Sequence, residues 1–185
     1  SQDYLRRMLV SAARMRRLID DLLTYSRVTT KAMPFVPTDL NEVLAEVLSD
    51  LELRIEQVNA LIVKQPLPSI EADASQIRQL LQNLLANALK FHRKDLRPEV
   101  VISAQVENGR CLLSVADNGI GFEEKYLDRI FTIFQRLHGR HEYEGTGVGL
   151  AVCRRIVERH NGTITAESQP GGGARFLVSL PVKQS

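Results

Sequence analysis

Cysteine is scarce in this chain, long apolar runs are missing, and neither sign of charge prevails. The two cysteines, Cys111 and Cys153, each lie inside an apolar run. A reduced thiol packed as a small hydrophobe is expected there rather than a disulfide or a metal ligand, which points to a reducing, cytoplasmic compartment. No apolar run approaches the roughly eighteen residues that cross a bilayer, and no secretory leader precedes the first helical segment, so a soluble piece cut from something larger is expected. The parent protein could be membrane-bound or soluble. Twenty-four basic residues mix with 22 acidic ones for a net charge of +2, which argues against a nucleic-acid footprint or a polybasic membrane anchor. Histidine is scarce too: His92, His138, His141 and His160 are the only four, and none precedes residue 92. With 185 residues there is room for one full-sized domain and a small appendage.

Residues 3 to 29 contain neither Gly nor Pro, and Leu5, Met8, Ala12, Met15, Ile19, Leu22 and Ser26 recur at alternating steps of three and four. That is a heptad seam, flanked by a wet face of Arg6, Arg7, Arg14, Arg16, Arg17, Asp20 and Asp21. Such a helix needs a partner. It could dock on its own domain, but the narrow seam favours half of a helical hairpin in a dimeric bundle. Pro34 and Pro37 end the helix and mark residues 31–37 as a linker that cannot form a central strand.

Downstream, Asp39 and Glu42 have capping-box spacing ahead of an amphipathic helix over residues 39–57. Short strands are expected at 61–64 and 69–71, and Asp73 caps a helix from 74 to about 92. Strands 99–107 and 111–116 flank Asn108-Gly109, a strong hairpin signal. A helix over 147–160 precedes a closing hairpin of 162–168 with 174–181. Helices alternating with hairpins indicate an α+β layer: a mixed β-sheet covered on one face by helices, preceded by the long first helix.

Three segments carry chemistry. On the helix over 74–92, Asn83 and Asn87 are one turn apart and Lys90 continues their stripe, opposite an apolar face of Ile77, Leu81, Leu84, Leu85 and Ala88. Aligned amides on a largely buried helix are costly unless hydrogen-bonded or bound to something; alone, they could cap neighbouring loops. The apolar run Cys111-Leu-Leu-Ser-Val-Ala stops at Asp117-Asn118-Gly119-Ile120-Gly121, setting a carboxylate at a strand end beside two glycines. It can accept an adenine amine while the glycines let backbone approach the base and adopt positive φ, although Asp-Asn-Gly is also ordinary turn chemistry. Gly145-Thr146-Gly147-Val148-Gly149-Leu150 opens an apolar helix, so backbone N–H groups face outward as a phosphate cradle. It is neither a Walker A loop, lacking Gly-Lys-Ser/Thr, nor a good dinucleotide fingerprint, since the third glycine would fall at Leu150. Residues 138–144 read as a lid over the triphosphate.

With Phe131-Thr-Ile-Phe134-Gln-Arg136 between the second and third segments, the order and spacing resemble the N, G1, F and G2 boxes of sensor histidine kinases, in the wider ATPase group of gyrase, Hsp90 and MutL. The resemblance implies the Bergerat ATP-binding fold over residues 38–183. It also implies that residues 1–30 are the second helix of a dimerisation and histidine-phosphotransfer hairpin whose first helix precedes Ser1. By the same resemblance Asn87 would coordinate Mg²⁺, Lys90 and Arg136 would contact phosphates, and Asp117 would hold adenine with Ile120 and Phe91 packed nearby. Phe131 and Phe134 would anchor the lid base, a role that two core aromatics would also fit. The stretch from Arg136 to Gly145 looks most like the lid of phytochrome-type kinases. In the resembling ATPases a water-activating glutamate stands where this chain has Asn83, whose amide cannot accept a proton at neutral pH. Transfer to an external nucleophile is therefore favoured over hydrolysis.

In this family the nucleophile is a histidine followed by an acidic residue and then a proline. His141-Glu142 copies the first two elements but lies in the lid, without the proline. His92 and His160 end helices, where a cation interacts favourably with the dipole, so both are expected to be structural or surface residues. The expected acceptor is thus a histidine helix of the parent protein, with a response-regulator receiver domain next in line and a homodimer formed through the first helix. A serine- or protein-directed kinase of the same fold and a non-catalytic ATP-binding scaffold are the competing readings. The heptad helix disfavours the former and the intact pocket residues the latter.

Overall fold

The computed structural model describes residues 1–133 and 147–185. Helix α1 (Gln2–Thr30) runs 29 residues, about 43 Å at 1.5 Å per residue. Its seam is bare: Leu5, Met8, Met15 and Ile19 are 57–68 % exposed, and Val28 is its only buried residue. The hydrogen bonds and ring contact that dock it on the described part of its own domain lie in the last turns of the helix. There Gln76 Nε2 donates to the Val28 carbonyl at 2.7 Å, and the Arg155 guanidinium lies 4.5 Å above the Tyr25 ring and reaches Thr29 Oγ1 at 3.2 Å.

The linker that follows is held by main-chain contacts. Asp73 accepts the Met33 N–H at 2.8 Å, and Arg159 donates to the Met33 carbonyl at 2.6 Å and to Asp73 at 2.9 Å. The Arg159 guanidinium also stacks 4.6 Å from the Phe35 ring. Burial alone would push the Asp73 carboxyl up. Hydrogen bonds from the Ser75 hydroxyl and the Met33 and Gln76 N–H groups, with the Arg159 charge, outweigh it and hold the group below the usual carboxylate range.

A strand not expected from the sequence follows. β1 (Val36–Asp39) pairs antiparallel with β3 (Ser69–Ala72), placing Pro37 opposite Glu71. A two-stranded sheet consists of edges, so the missing proline N–H need not interrupt a central ladder. The helix expected over 39–57 is divided into α2 (Leu40–Asp50) and α3 (Glu52–Val58), with Leu51 at φ −94°, ψ 3° between them. Asp39 caps α2 through the Asn41 N–H at 2.8 Å, the N-cap half of the expected box.

The main sheet has the order β2-β4-β5-β7-β6, with β2 (Leu61–Lys64) parallel to β4 (Glu99–Glu107) and the other pairs antiparallel. β4 and β5 (Arg110–Asp117) join through Asn108 at φ 51° and Gly109 at φ 74°, both left-handed as a two-residue hairpin turn requires. β6 (Thr163–Ser168) and β7 (Ala174–Pro181) form the closing hairpin. One face is covered by α4 (Ala74–Lys90) and α5 (Gly149–Arg159), where Ile77, Leu81, Ile156, Ile102, Leu113 and Leu180 are buried; on the other, Leu112 is 38 % exposed. Each fully buried Leu or Ile contributes about 1.5–3 kcal/mol, so this single layer is where the fold is held. The α+β reading with helices on one face is the architecture found. No helix among the described residues is long and apolar enough to cross a membrane.

Candidate functional site

Helices α4 and α5 pack against each other; the loop after β5 is bonded to the end of α4 through the Ile120 N–H and the Phe91 carbonyl, and the start of α5 is bonded to α4 at Asn83. On α4 the half-buried side chains of Gln79, Asn83, Asn87 and Lys90 follow one another along one face. Asn83 is already engaged: its Nδ2 donates to the Gly149 carbonyl at 3.1 Å, and its Oδ1 accepts from Gln79 at 2.8 Å. The Lys90 ammonium lies 5.0 Å from the centroid of the Phe91 ring.

Alternation along β5 puts Asp117 on the same side as Cys111, Leu113 and Val115, which is the core side. The carboxylate therefore ends a buried row. Burial pushes its pKa up to about 6, against the hydrogen bonds that it accepts from the Gly119 N–H at 2.8 Å and the Ala174 N–H at 3.3 Å. Among the described residues both bonds fall on Oδ1, which leaves Oδ2 for a ligand donor.

The two glycines after Asp117 differ from expectation. Gly121 has φ +63°, but Gly119 lies outside the left-handed region and is required for close approach instead. A Cβ on Gly119 would lie 2.3 Å from the Phe91 carbonyl oxygen, the same oxygen that accepts the Ile120 N–H at 2.9 Å. The loop is thereby fastened to the end of α4.

Sequence reasoning missed what the turn at residues 169–173 does. Gly171 N–H donates to the Ile120 carbonyl at 2.7 Å, Ala174 N–H reaches Asp117, and Ser168 Oγ accepts from the Phe122 N–H at 2.9 Å. A Cβ on Gly173 would come within 2.0 Å of the Asp117 carbonyl oxygen, and one on Gly121 within 2.0 Å of the Gln169 oxygen. The available signal was three consecutive glycines, more than a hairpin connection needs.

At the α5 end, Gly147 has φ 77° and Val148, fully buried, sits at the N-cap position without a side-chain cap. A Cβ on Gly149 would meet nothing within 4 Å. Uncapped N–H groups with open space before them suit an anion. Leu150 follows, half-buried. Phe131 is buried edge-on to Phe176 at 6.2 Å. Phe134, Arg136, Gly145 and Thr146, with His138, His141 and the rest of residues 134–146, lie outside the described residues.

Of the two roles expected for His160 at its helix end, structural or surface, the structure shows the structural one: it is fully buried, its Nε2 accepting the Asp73 N–H at 3.1 Å and its Nδ1 donating to the Ile156 carbonyl at 2.8 Å. An amide donor on Nε2 requires the neutral ring. Burial, with the Arg159 charge beside it, holds its pKa below the usual value.

No group of three or more His, Cys, Asp and Glu among the described residues could hold a metal ion. The donor set fits Mg²⁺ in another way: a single amide oxygen, Asn87, suits a metal that brings phosphate oxygens and its own water.

Residues 72–184 match the family model described as histidine kinase-, DNA gyrase B- and HSP90-like ATPase. The chain is 48 % identical over 168 residues to cyanobacterial phytochrome A of Nostoc sp., covering 91 % of this chain and 22 % of that protein. It is 41 % identical over 182 residues to the phytochrome-like protein Cph1 of Synechocystis sp., covering 98 % and 24 % respectively. It thus spans less than a quarter of those relatives' length. Full-length ShkA in complex with AMPPNP superposes with a TM-score of 0.77 at 28 % identity, over all of this chain and 39 % of that one. The family model spans α4, β5 and α5, and the chain belongs to the histidine kinase-, DNA gyrase B- and HSP90-like ATPase family.

Proposed function

We propose that the chain is the catalytic part of a sensor histidine kinase, which binds Mg-ATP and hands the γ-phosphate to a histidine on another segment of the parent protein, and thence to a receiver-domain aspartate. The observation that carries this reading is the half-buried Asp117 carboxylate, whose Oδ2 is left for a donor, in a chain that also presents the uncapped start of α5. One end accepts a base amine and the other accepts phosphates.

In this reading Asp117 Oδ2 accepts the adenine amine, with Phe91 and Ile120 beside the base and Gly119 and Gly121 keeping the backbone close. The N–H groups of Gly145, Thr146, Gly147, Val148, Gly149 and Leu150 line the phosphates. Lys90 and Arg136 add cations where equatorial charge develops, and Asn87 would hold Mg²⁺, which when bound would supply further positive charge against the phosphates. The acceptor imidazole attacks phosphorus, forming a P–N bond while the bond to ADP breaks and ADP keeps the electron pair. Asn83 offers no base for water, so turnover without an acceptor is slow. The α1 seam pairs with a second copy to form the dimer.

Titration calorimetry with Mg-ATP tests the pocket. Asp117→Asn and Asn87→Asp are each expected to weaken binding at least tenfold, since each disturbs a charge-assisted or metal contact of about 1.5–3 kcal/mol. Unchanged affinity in either variant would show the pocket to be misassigned.

A further inference from the structure

Gln79 lies one turn before Asn83 on the same face of α4 and belongs to none of the four sequence segments. The Gly149 carbonyl can only accept, so it fixes which end of the Asn83 amide faces α5: Nδ2 donates at 3.1 Å. Oδ1 is then left for a donor, and Gln79 Nε2 supplies one at 2.8 Å. The order of donors and acceptors follows from a carbonyl whose role is unambiguous. On the far side the buried Cys153 thiol of α5 also meets the Asn83 amide and donates to the Leu80 carbonyl at 3.9 Å. Asn83 therefore joins α4 to the first turn of α5, and its orientation depends on what stands at position 79.

We propose that Gln79 is a positioning residue for the nucleotide phosphates: by holding the Asn83 amide it fixes the first turn of α5 relative to α4. This rests on the reading that residues 147–150 line the phosphates. Without the Gln79 donor, Asn83 is free to rotate its amide, and the Gly149 carbonyl then faces an oxygen or nothing. The uncapped N–H groups move with that turn. Asp117, at the end of β5, is held by Gly119 and Ala174 and does not depend on this chain of bonds.

The test compares binding of Mg-ATP and of adenosine to the wild-type chain, Gln79→Met, Asn83→Ala and the double variant. Methionine keeps the length and neutrality of the side chain and removes the donor. Gln79→Met is expected to weaken Mg-ATP about fivefold, the worth of one neutral hydrogen bond, and to leave adenosine unchanged. In the double variant Mg-ATP affinity is expected to equal that of Asn83→Ala alone, because Gln79 acts through Asn83. Should Gln79→Met fold poorly, the isosteric Gln79→Glu, which also lacks the donor, is expected to show the same loss confined to the phosphate-bearing ligand. Equal loss for both ligands, no loss, or additive losses in the double variant would overturn the proposal. Failure of the wild-type chain to bind Mg-ATP would instead sink the functional reading beneath it.

Discussion

The Asp117 carboxylate occupies the core side of β5, where burial raises its pKa from 3.8 to about 6. Between those values the folded state binds the proton that the unfolded state has released, so this group's contribution to stability falls as pH rises from about 4 to 6 and stays low above. Asp117→Asn is therefore expected to melt higher than wild type at pH 7–8, the difference vanishing below about pH 4, in thermal denaturation of both proteins across pH. His160 contributes with the opposite sign, its lowered pKa costing stability as pH falls below about 6.5, but it is common to both proteins and cancels in the difference. Binding should reverse the preference. A ligand amine that donates to Asp117 favours the carboxylate, so Mg-ATP binding near pH 6 is expected to release a proton. Calorimetry in two buffers of different ionisation enthalpy reads this directly, and in Asp117→Asn the release should disappear. Asp117 was legible in the sequence because an apolar run stopped at it. The support from Gly173 and Ala174 was not, because those residues lie more than fifty positions away and only the pairing of β5 with β7 brings them near.

Elements α4 and α5 each link the linker contacts to the candidate site. Asp73 and Gln76 at the start of α4 and Arg159 and His160 at the end of α5 hold residues 28–35, while Lys90 and Gly149 stand at the opposite ends. The two joints to α1 differ in quality. Asp73 is 1 % exposed and meets Arg159 in a hydrogen-bonded pair, whereas the Arg155 Nε beside Tyr25 is buried without a hydrogen-bond partner among the described residues. An orphaned donor costs about 1–3 kcal/mol, so the linker and not the tail of α1 is the stronger joint. Arg159→Met is expected to destabilise the chain by about 2–3 kcal/mol in urea, below the range for a fully buried pair because Arg159 is partly solvated. Hydrogen exchange at the Met33 amide should rise in this variant, and Arg155→Met should cost less than half as much. Periodicity and turn residues disclosed most elements, the hairpin at Asn108-Gly109 among them. The break at Leu51 carries no Gly or Pro to mark it, and strand β1 was hidden by prolines that a two-stranded sheet tolerates.

At the scale of the whole molecule, a compact sheet-and-helix body carries a projecting helix whose apolar seam is bare. Burying Leu5, Met8, Met15 and Ile19 against a second copy would remove much of that exposed surface, at about 25 cal/mol per Å². Sedimentation is accordingly expected to show association that strengthens with concentration, and Met8→Glu with Ile19→Glu to leave a monomer with unchanged Mg-ATP affinity. The fold class was legible because each layer writes its own period into the sequence, and the candidate segments stood out because glycines at a helix start and a carboxylate at a strand end interrupt that period. Which side chains hold those segments in place was not, since Gln79, Ser168 and Arg159 act through partners distant in sequence or look like ordinary surface residues. The central claim is transfer of phosphate to histidine. It is tested most directly by incubating the chain with Mg-ATP labelled in the γ-phosphate and a separate polypeptide that carries the acceptor helix, then treating the product with acid and with base. Label on that polypeptide that is lost in acid and survives base is the expected result; acid-stable label, or phosphate released to water at the same rate without the acceptor, would contradict it.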